Sequence, residues 1–309
     1  MAPESPQHYN PLEAEERVTL TEIELDVVYG LQSRRVPIRV RFDAERQTPQ
    51  PVILFSHGLG GSNRGGSYLA EHWARRGYVT VALQHMGSDE SVWWGVPRAE
   101  RMESLREAAN LRQSIHRMAD VPAVIDALGQ WNDQRGHTLA GRLDPEAIGM
   151  SGHSFGAGTT QWVSGQRFRG SKAATDPRID AALMMSPSSP ARGDPDDAFG
   201  AVEIPWMLMT GTKDVSVVNN RPVSSRLSVY PALPPGDKYE LVLKDGEHHA
   251  FSSEGGRNRP RNPNHHRVIL ALSTAFWDTY LRNDQAAREW LTGEGPSHVL
   301  EVGDRWQTK

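Results

Sequence analysis

The chain has 309 residues, 38% of them hydrophobic, a formal charge of −4 and no cysteine. This is enough for one large α/β domain with a sizeable core, and it excludes disulfides, thiolate nucleophiles and cysteine-ligated metals. No long run of either charge sign marks nucleic acid or an anionic membrane as a partner, and no stretch approaches the roughly 18 apolar residues of a membrane span.

Residues 1 to 16 read as a polar, proline-containing arm, and 17 to 309 as a single domain. Met1 to Pro6 has neither the basic nor the apolar region of a signal peptide. That fits a cytoplasmic protein, or a secreted one whose sequence starts at a processed end. From Arg17, near-alternating Val18, Leu20, Ile23, Leu25 and Val27 predict a strand. Val36, Ile38, Val40 and Phe42 alternate strictly and predict a second, so an antiparallel pair is expected at a sheet edge. Pro51 to Phe55 and Tyr78 to Leu83 are continuous apolar runs, as in strands covered on both faces. A helix carrying Leu69 and Trp73 lies between them.

Met86 to Pro97 is a loop holding Trp93 and Trp94. Residues 99 to 118 favour helix, and Asp120-Val121-Pro122 is expected to open another, with Val121, Val124, Ile125 and Leu128 on one face. Further strands are predicted at Ala147 to Met150, Ile179 to Met185, Pro205 to Thr210 and Tyr239 to Leu243. Ser186 to Gly200 reads as a loop, Arg267 to Leu281 as a helix and His298 to Val302 as a short last strand. Strands alternating with helices argue one doubly wound, mostly parallel α/β sheet with helices on both faces.

Gly152-His153-Ser154-Phe155-Gly156 fits G-x-S-x-G between a predicted strand and a helix. That context makes it a nucleophile elbow, a sharp turn that projects the serine hydroxyl above the sheet. Such a serine needs a histidine to take its proton and a carboxylate to orient the histidine. Asp214 is the candidate acid, because Gly211-Thr212-Lys213 carries it just past a buried strand. Its competitors Asp194, Asp196 and Asp197 follow no strand end and read as solvated loop residues. His248 and His249 follow the last clear strand, and only one of them can face the serine. A metal on this pair is not expected, since no further ligand has zinc-like spacing. His265-His266 reads as polar surface. Backbone donors for an oxyanion would come from Phe155 and from the His57-Gly58-Leu59-Gly60-Gly61 loop, with Leu59 the chosen amide. That loop is no phosphate cradle, since no Gly-Lys-Ser/Thr follows.

These segments, with Ser56-His57-Gly58-Leu59-Gly60-Gly61, Gly211-Thr212-Lys213-Asp214 and Gly246-Glu247-His248-His249-Ala250-Phe251, resemble the α/β-hydrolase superfamily over roughly Val18 to Leu281. The nearest likeness is to the branch of dienelactone-hydrolase-like esterases, platelet-activating-factor acetylhydrolases and cutinase-type polyester hydrolases. The resemblance implies a cofactor-free serine hydrolase acting on carboxylic esters. It places the triad on Ser154, Asp214 and His249, and the oxyanion donors on Leu59 and Phe155. His249 is preferred because it lies three residues after Gly246 and two before Phe251. Dienelactone hydrolases proper use a cysteine, so lactone specificity does not follow. Dehalogenases and epoxide hydrolases carry an aspartate at the elbow, unlike Ser154. Trp93, Trp94 and Phe251 are the substrate-binding candidates, although the two tryptophans could equally pack onto the body. No separate lid is evident, which favours small or medium esters, including aromatic or polyester-type ones. A serine peptidase, an acyltransferase and a non-catalytic binding protein of the same fold are the alternatives. A monomer is the default.

Overall fold

A computed structural model describes residues 9–14, 18–167, 174–216, 218, 221–252 and 262–309. Most of the proposed N-terminal arm (residues 1–8, 15 and 16) lies outside these. Among the described residues, nine strands form one sheet. In chain order they are β1 (Leu20–Tyr29), β2 (Arg34–Asp43), β3 (Gln50–Ser56), β4 (Val79–Leu83), β5 (Leu143–His153), β6 (Ala181–Met185), β7 (Trp206–Lys213), β8 (Lys238–Glu247) and β9 (Arg305–Thr308). Their spatial order is β1-β2-β4-β3-β5-β6-β7-β8-β9. The six strands from β4 to β8 in that order run parallel. The β1–β2 pair, its junction with β4, and β9 on β8 are antiparallel.

The two strand patterns follow from what covers them. On β3, Ile53 and Phe55 face one core and Val52 and Leu54 the other, as a period of two requires. One face is covered by α1 (Ser67–Arg75) and α7 (Pro263–Leu281), whose Trp73 and Trp277 meet edge to face. The other is covered by α3 (Leu111–Asp133) and α4 (Phe155–Val163). β3 leads outward to β4, whereas β5 returns on β3's other side. The gap beyond the carboxyl ends of β3 and β5 is therefore the topological switch point, where open α/β sheets bind ligands. No helix among the described residues is long and apolar enough to cross a membrane.

Three expectations change. The predicted helix start at Asp120 falls inside α3, which contains Pro122 and begins at Leu111. Asn110 sets that start, its side chain accepting from the Gln113 amide at 3.0 Å. A short helix, α2 (Arg101–Ala108), precedes it. The Ser186 to Gly200 loop contains the short helix α5 (Pro195–Phe199), capped by Asp194 with Pro195 in the first turn. The last strand lies at β9, not at His298 to Val302, where Gly295–His298 forms a 3₁₀ turn. Trp306 anchors β9 by stacking on Tyr239. Part of the arm also packs: Tyr9 donates its hydroxyl proton to Asp278 at 2.7 Å and lies edge-on to Trp290.

Candidate active site

β5 ends at His153 and α4 begins at Phe155, which leaves Ser154 alone to make the turn. Its φ of 58° and ψ of −113° are a strained conformation for a side-chain-bearing residue. The flanking glycines are sterically required. A Cβ on Gly152 would come within 2.4 Å of the Gly156 carbonyl oxygen, and one on Gly156 within 1.9 Å of the Ser56 carbonyl oxygen. The Ser154 amide donates to the carbonyl of Met185, at the end of β6, at 2.9 Å and fixes the turn on the sheet edge.

His248 follows β8 directly. Its Nε2 lies 2.9 Å from Ser154 Oγ, and its Nδ1 lies 2.7 Å from Asp214 Oδ1. Asp214, just past β7, is wholly buried. Its other carboxylate oxygen accepts from Thr210 Oγ1 at 2.9 Å, and Arg226 Nε lies 3.0 Å from Oδ1. Burial raises the Asp214 pKa, but the His248 hydrogen bond and the Arg226 charge outweigh it, so the carboxyl is held below its ordinary value. Arg226 also donates to the carbonyls of Asp214, Ser186 and Pro187, tying the acid to the loop after β6. His153, inside the elbow, reaches the His248 carbonyl at 3.0 Å. Burial first, and then neighbouring His248, push the His153 pKa down to about 3, so at neutral pH it is an uncharged donor. Neither Arg226 nor His153 was legible as a site residue. No motif marks the first, and the second occupies the variable position of G-x-S-x-G.

The preference for His249 as the histidine facing Ser154 is corrected. β8 continues to Glu247, so the 3₁₀ turn His248–Phe251 starts at the sheet edge and its first residue is the one directed at the serine. His249 turns the other way, with Nδ1 3.3 Å from Glu247 Oε2.

Ser154 and His248 border a cavity of about 580 Å³, which Leu59 and Phe155 also line. The Leu59 loop comes close to the serine: a Cβ on Gly58 would lie 3.5 Å from that of Ser154. The three aromatic residues expected in the pocket are not among those lining it. Trp93 supports the loop from behind, donating from its indole nitrogen to the Gly60 carbonyl at 2.7 Å. Trp94 is 72% exposed, and Phe251 is fully buried in the core. The competing carboxylates Asp194, Asp196 and Asp197 cap and begin α5.

A second Ser–His–Asp array lies beneath this one. Ser56 Oγ, at the end of β3, is 2.8 Å from His85 Nε2, and His85 Nδ1 is 2.9 Å from Asp120 Oδ2. All three residues are completely buried. Asp120 also accepts from Tyr29 and from two nitrogens of Arg34. Arg117, likewise buried, donates to the His57 carbonyl at 2.7 Å and to Ser88 Oγ at 2.8 Å, and its guanidinium lies 4.5 Å from the Phe155 ring centroid. It therefore touches both segments that carry Leu59 and Phe155.

The sheet order, the crossover helices on both faces and the elbow give this chain the α/β-hydrolase fold, and its Ser–His–Asp connectivity supports serine-hydrolase chemistry. A model of the family described as platelet-activating factor acetylhydrolase, isoform II matches residues 15–123, so this part of the chain is similar to that family. The matched stretch holds β1 to β4, the Leu59 loop and the buried array, and it ends before the elbow. No curated protein matches the chain.

Proposed function

We propose that the protein is a serine carboxylesterase that works through an acyl-enzyme, with Ser154 as nucleophile, His248 as general base and acid, and Asp214 as the carboxylate that orients it. The observation that carries this reading is the unbroken contact from Ser154 Oγ to His248 Nε2 at 2.9 Å and from His248 Nδ1 to Asp214 Oδ1 at 2.7 Å, opening on the 580 Å³ cavity. His248 Nδ1–H donates to Asp214, which leaves Nε2 free to accept the hydroxyl proton as Ser154 attacks the ester carbonyl. The oxyanion is assigned to the amides of Leu59 and Phe155, whose residues both border the cavity. His248 then returns the proton to the leaving alcohol, and water repeats the cycle to release the acid. The size of the cavity favours small to medium esters, including aromatic and polyester-type ones.

Hydrolysis of p-nitrophenyl esters from acetate to palmitate, by the parent and by Ser154→Ala, tests the reading. Turnover by the parent that disappears in the variant supports it, and the chain-length optimum measures the acyl pocket. Turnover surviving in Ser154→Ala would move the nucleophile elsewhere.

A further inference from the structure

Arg117 projects from α3 into the interior and has no exposed surface. A guanidinium is costly to bury unless its donors are used. Asp120, one turn further along α3, is not its partner, since Arg34 and His85 take that carboxylate. The Arg117 donors go instead to the end of β3 and to the turn after β4. Nη1 donates to the His57 carbonyl at 2.7 Å, Nε to Ser88 Oγ at 2.8 Å and Nη2 to the Ser88 carbonyl at 3.3 Å. The same Ser88 carbonyl accepts from the Gly60 amide at 2.9 Å. The guanidinium also lies 4.5 Å from the centroid of the Phe155 ring, a cation–π contact.

His57 extends this hold to a donor of the oxyanion hole. Its Nε2 accepts from the His85 amide at 3.0 Å, so the proton sits on Nδ1, which donates to the Gly58 carbonyl at 2.6 Å. Burial first, and then the Arg117 charge, hold the His57 pKa well below its ordinary value and keep the ring neutral. The Gly61 amide adds a second bond to the Gly58 carbonyl at 3.1 Å. The Gly58–Leu59 peptide is trans, so a carbonyl anchored on this side turns the Leu59 N–H to the opposite one. Among the described residues, neither the Leu59 N–H nor the Phe155 N–H has a protein acceptor, and both residues border the cavity. Arg117 itself does not line it. Resting on the carboxylesterase reading, we propose that Arg117 is a positioning residue for the oxyanion hole. One buried guanidinium holds the Leu59 loop and the start of α4 at a fixed separation, so that two free amides converge on the ester oxygen as it becomes an anion.

Arg117→Met keeps the apolar stem and removes the fork. It should lower kcat by about 10²-fold, as misplacing an oxyanion donor does, with KM nearly unchanged because the side chain does not touch substrate. A matched pair of inhibitors reads the hole directly. Ser154 Oγ adds to the carbonyl carbon of benzyl trifluoromethyl ketone, the carbonyl π pair moves to oxygen, the hydroxyl proton passes to His248, and the resulting oxyanion occupies the hole. Benzyl methyl ketone stays trigonal. The preference for the first ketone over the second should fall by about 10²-fold in Arg117→Met, while the acid limb of kcat/KM keeps the parent's midpoint because the triad is intact. Arg117→Lys retains a cation and a donor for the His57 carbonyl, so it should recover part of both losses. Parental kcat and ketone preference in Arg117→Met overturn the proposal, as does a loss accompanied by a shifted acid limb, which marks general damage to the triad. If Arg117→Met does not fold, an undiminished ketone preference in Arg117→Lys overturns it. Nitrogen NMR of the parent at neutral pH needs no variant: it should find His57 as the Nδ1–H tautomer, and an Nε2–H form overturns the arrangement. A fluorophosphonate probe separates the two levels. Labelling of Ser154 in the parent, with Arg117 variants that keep the ketone preference, sinks only this inference. A folded parent that is not labelled sinks the esterase reading and this inference with it.

Discussion

Two Ser–His–Asp chains run through the carboxyl edge of one sheet, and their hydrogen bonds are nearly interchangeable: 2.9 and 2.7 Å in Ser154–His248–Asp214, 2.8 and 2.9 Å in Ser56–His85–Asp120. Both aspartates are buried and paired with an arginine, and the arrays differ in backbone placement and access. Ser154 occupies a strained turn facing a cavity, whereas Ser56 is the last residue of a regular strand and has no exposed surface. Asp120 is saturated by Arg34, Tyr29 and His85. His85 is pushed down to about 4 by burial and then by the Arg117 charge. A general base must become a cation during the reaction, and a wholly buried histidine whose pKa is already driven down is poorly placed to do so. Hydrogen-bond geometry alone therefore does not define a catalytic array. Access, backbone placement and tolerance of a developing charge separate the two, and each can be tested.

The largest expected difference is in turnover. Ser154→Ala should lower kcat by about 10⁴-fold or more with the thermal midpoint unchanged, and Asp214→Asn should cost about 10⁴-fold through the wrong histidine tautomer. A Ser154→Ala enzyme that still turns over, with Ser56→Ala inactive, would invert the comparison. Next comes stability. Asp120→Ala leaves buried His85 and part-buried Arg34 without their carboxylate, and since losing one partner of a fully buried pair costs about 3–5 kcal/mol, the loss here should reach at most that range. Urea unfolding should show that loss. An Asp120→Ala protein as stable as the parent would mean the lower array is not structural.

The lower array also sets an acid limit. Between the ordinary histidine value of about 6.5 and the folded value of about 4, the unfolded chain binds a proton at His85 that the folded protein does not. The His85 contribution is therefore complete above about 6.5 and is lost as pH falls towards 4, a change of roughly 3 kcal/mol. Asp120 acts lower down. Burial raises its pKa, but the hydrogen bonds from Arg34 and His85 bring it to about 2, so its share is lost only below the usual carboxylate range. His85→Gln should flatten the upper part of a stability–pH curve, and an unchanged curve would refute the assignment. Ser56→Ala is a smaller perturbation. It leaves His85 Nε2 without its hydroxyl partner, at a cost of about 1–3 kcal/mol, with the ester-chain-length profile unaltered.

What could be read in the sequence divides along the same line. The parallel strands were legible because burial on both faces demands the unbroken apolar runs at Pro51 to Phe55 and Pro205 to Thr210. The elbow was legible because glycine is required on both sides of Ser154, at Gly152 by the local Gly156 carbonyl and at Gly156 by the Ser56 carbonyl across the sheet. Asp214 was legible because a short turn ties it to a strand. The lower array was not: Ser56, His85 and Asp120 come from three separated segments, and nothing local marks a histidine that will be buried neutral. Trp93 stayed open between pocket and body for a similar reason, since its indole is directed to the Gly60 carbonyl by tertiary packing.

The adjacent histidines give the finest comparison and the smallest effect. Their local chemistry is the same, and the outcome depends on where β8 stops. Had the strand ended one residue later, the turn would have begun at His249. Because it ends at Glu247, His248 meets Ser154 and His249 meets Glu247. His249→Ala should accordingly leave kcat/KM within about twofold and stability within about 0.5 kcal/mol, as for a surface substitution. His248→Ala should fall with Ser154→Ala. The pair is best read in one experiment, as the rate of fluorophosphonate labelling at Ser154. Slow labelling in His248→Ala and a normal rate in His249→Ala follow from the register of β8. The opposite pattern would mean that the strand ends a residue later in solution and that His249 faces the serine after all.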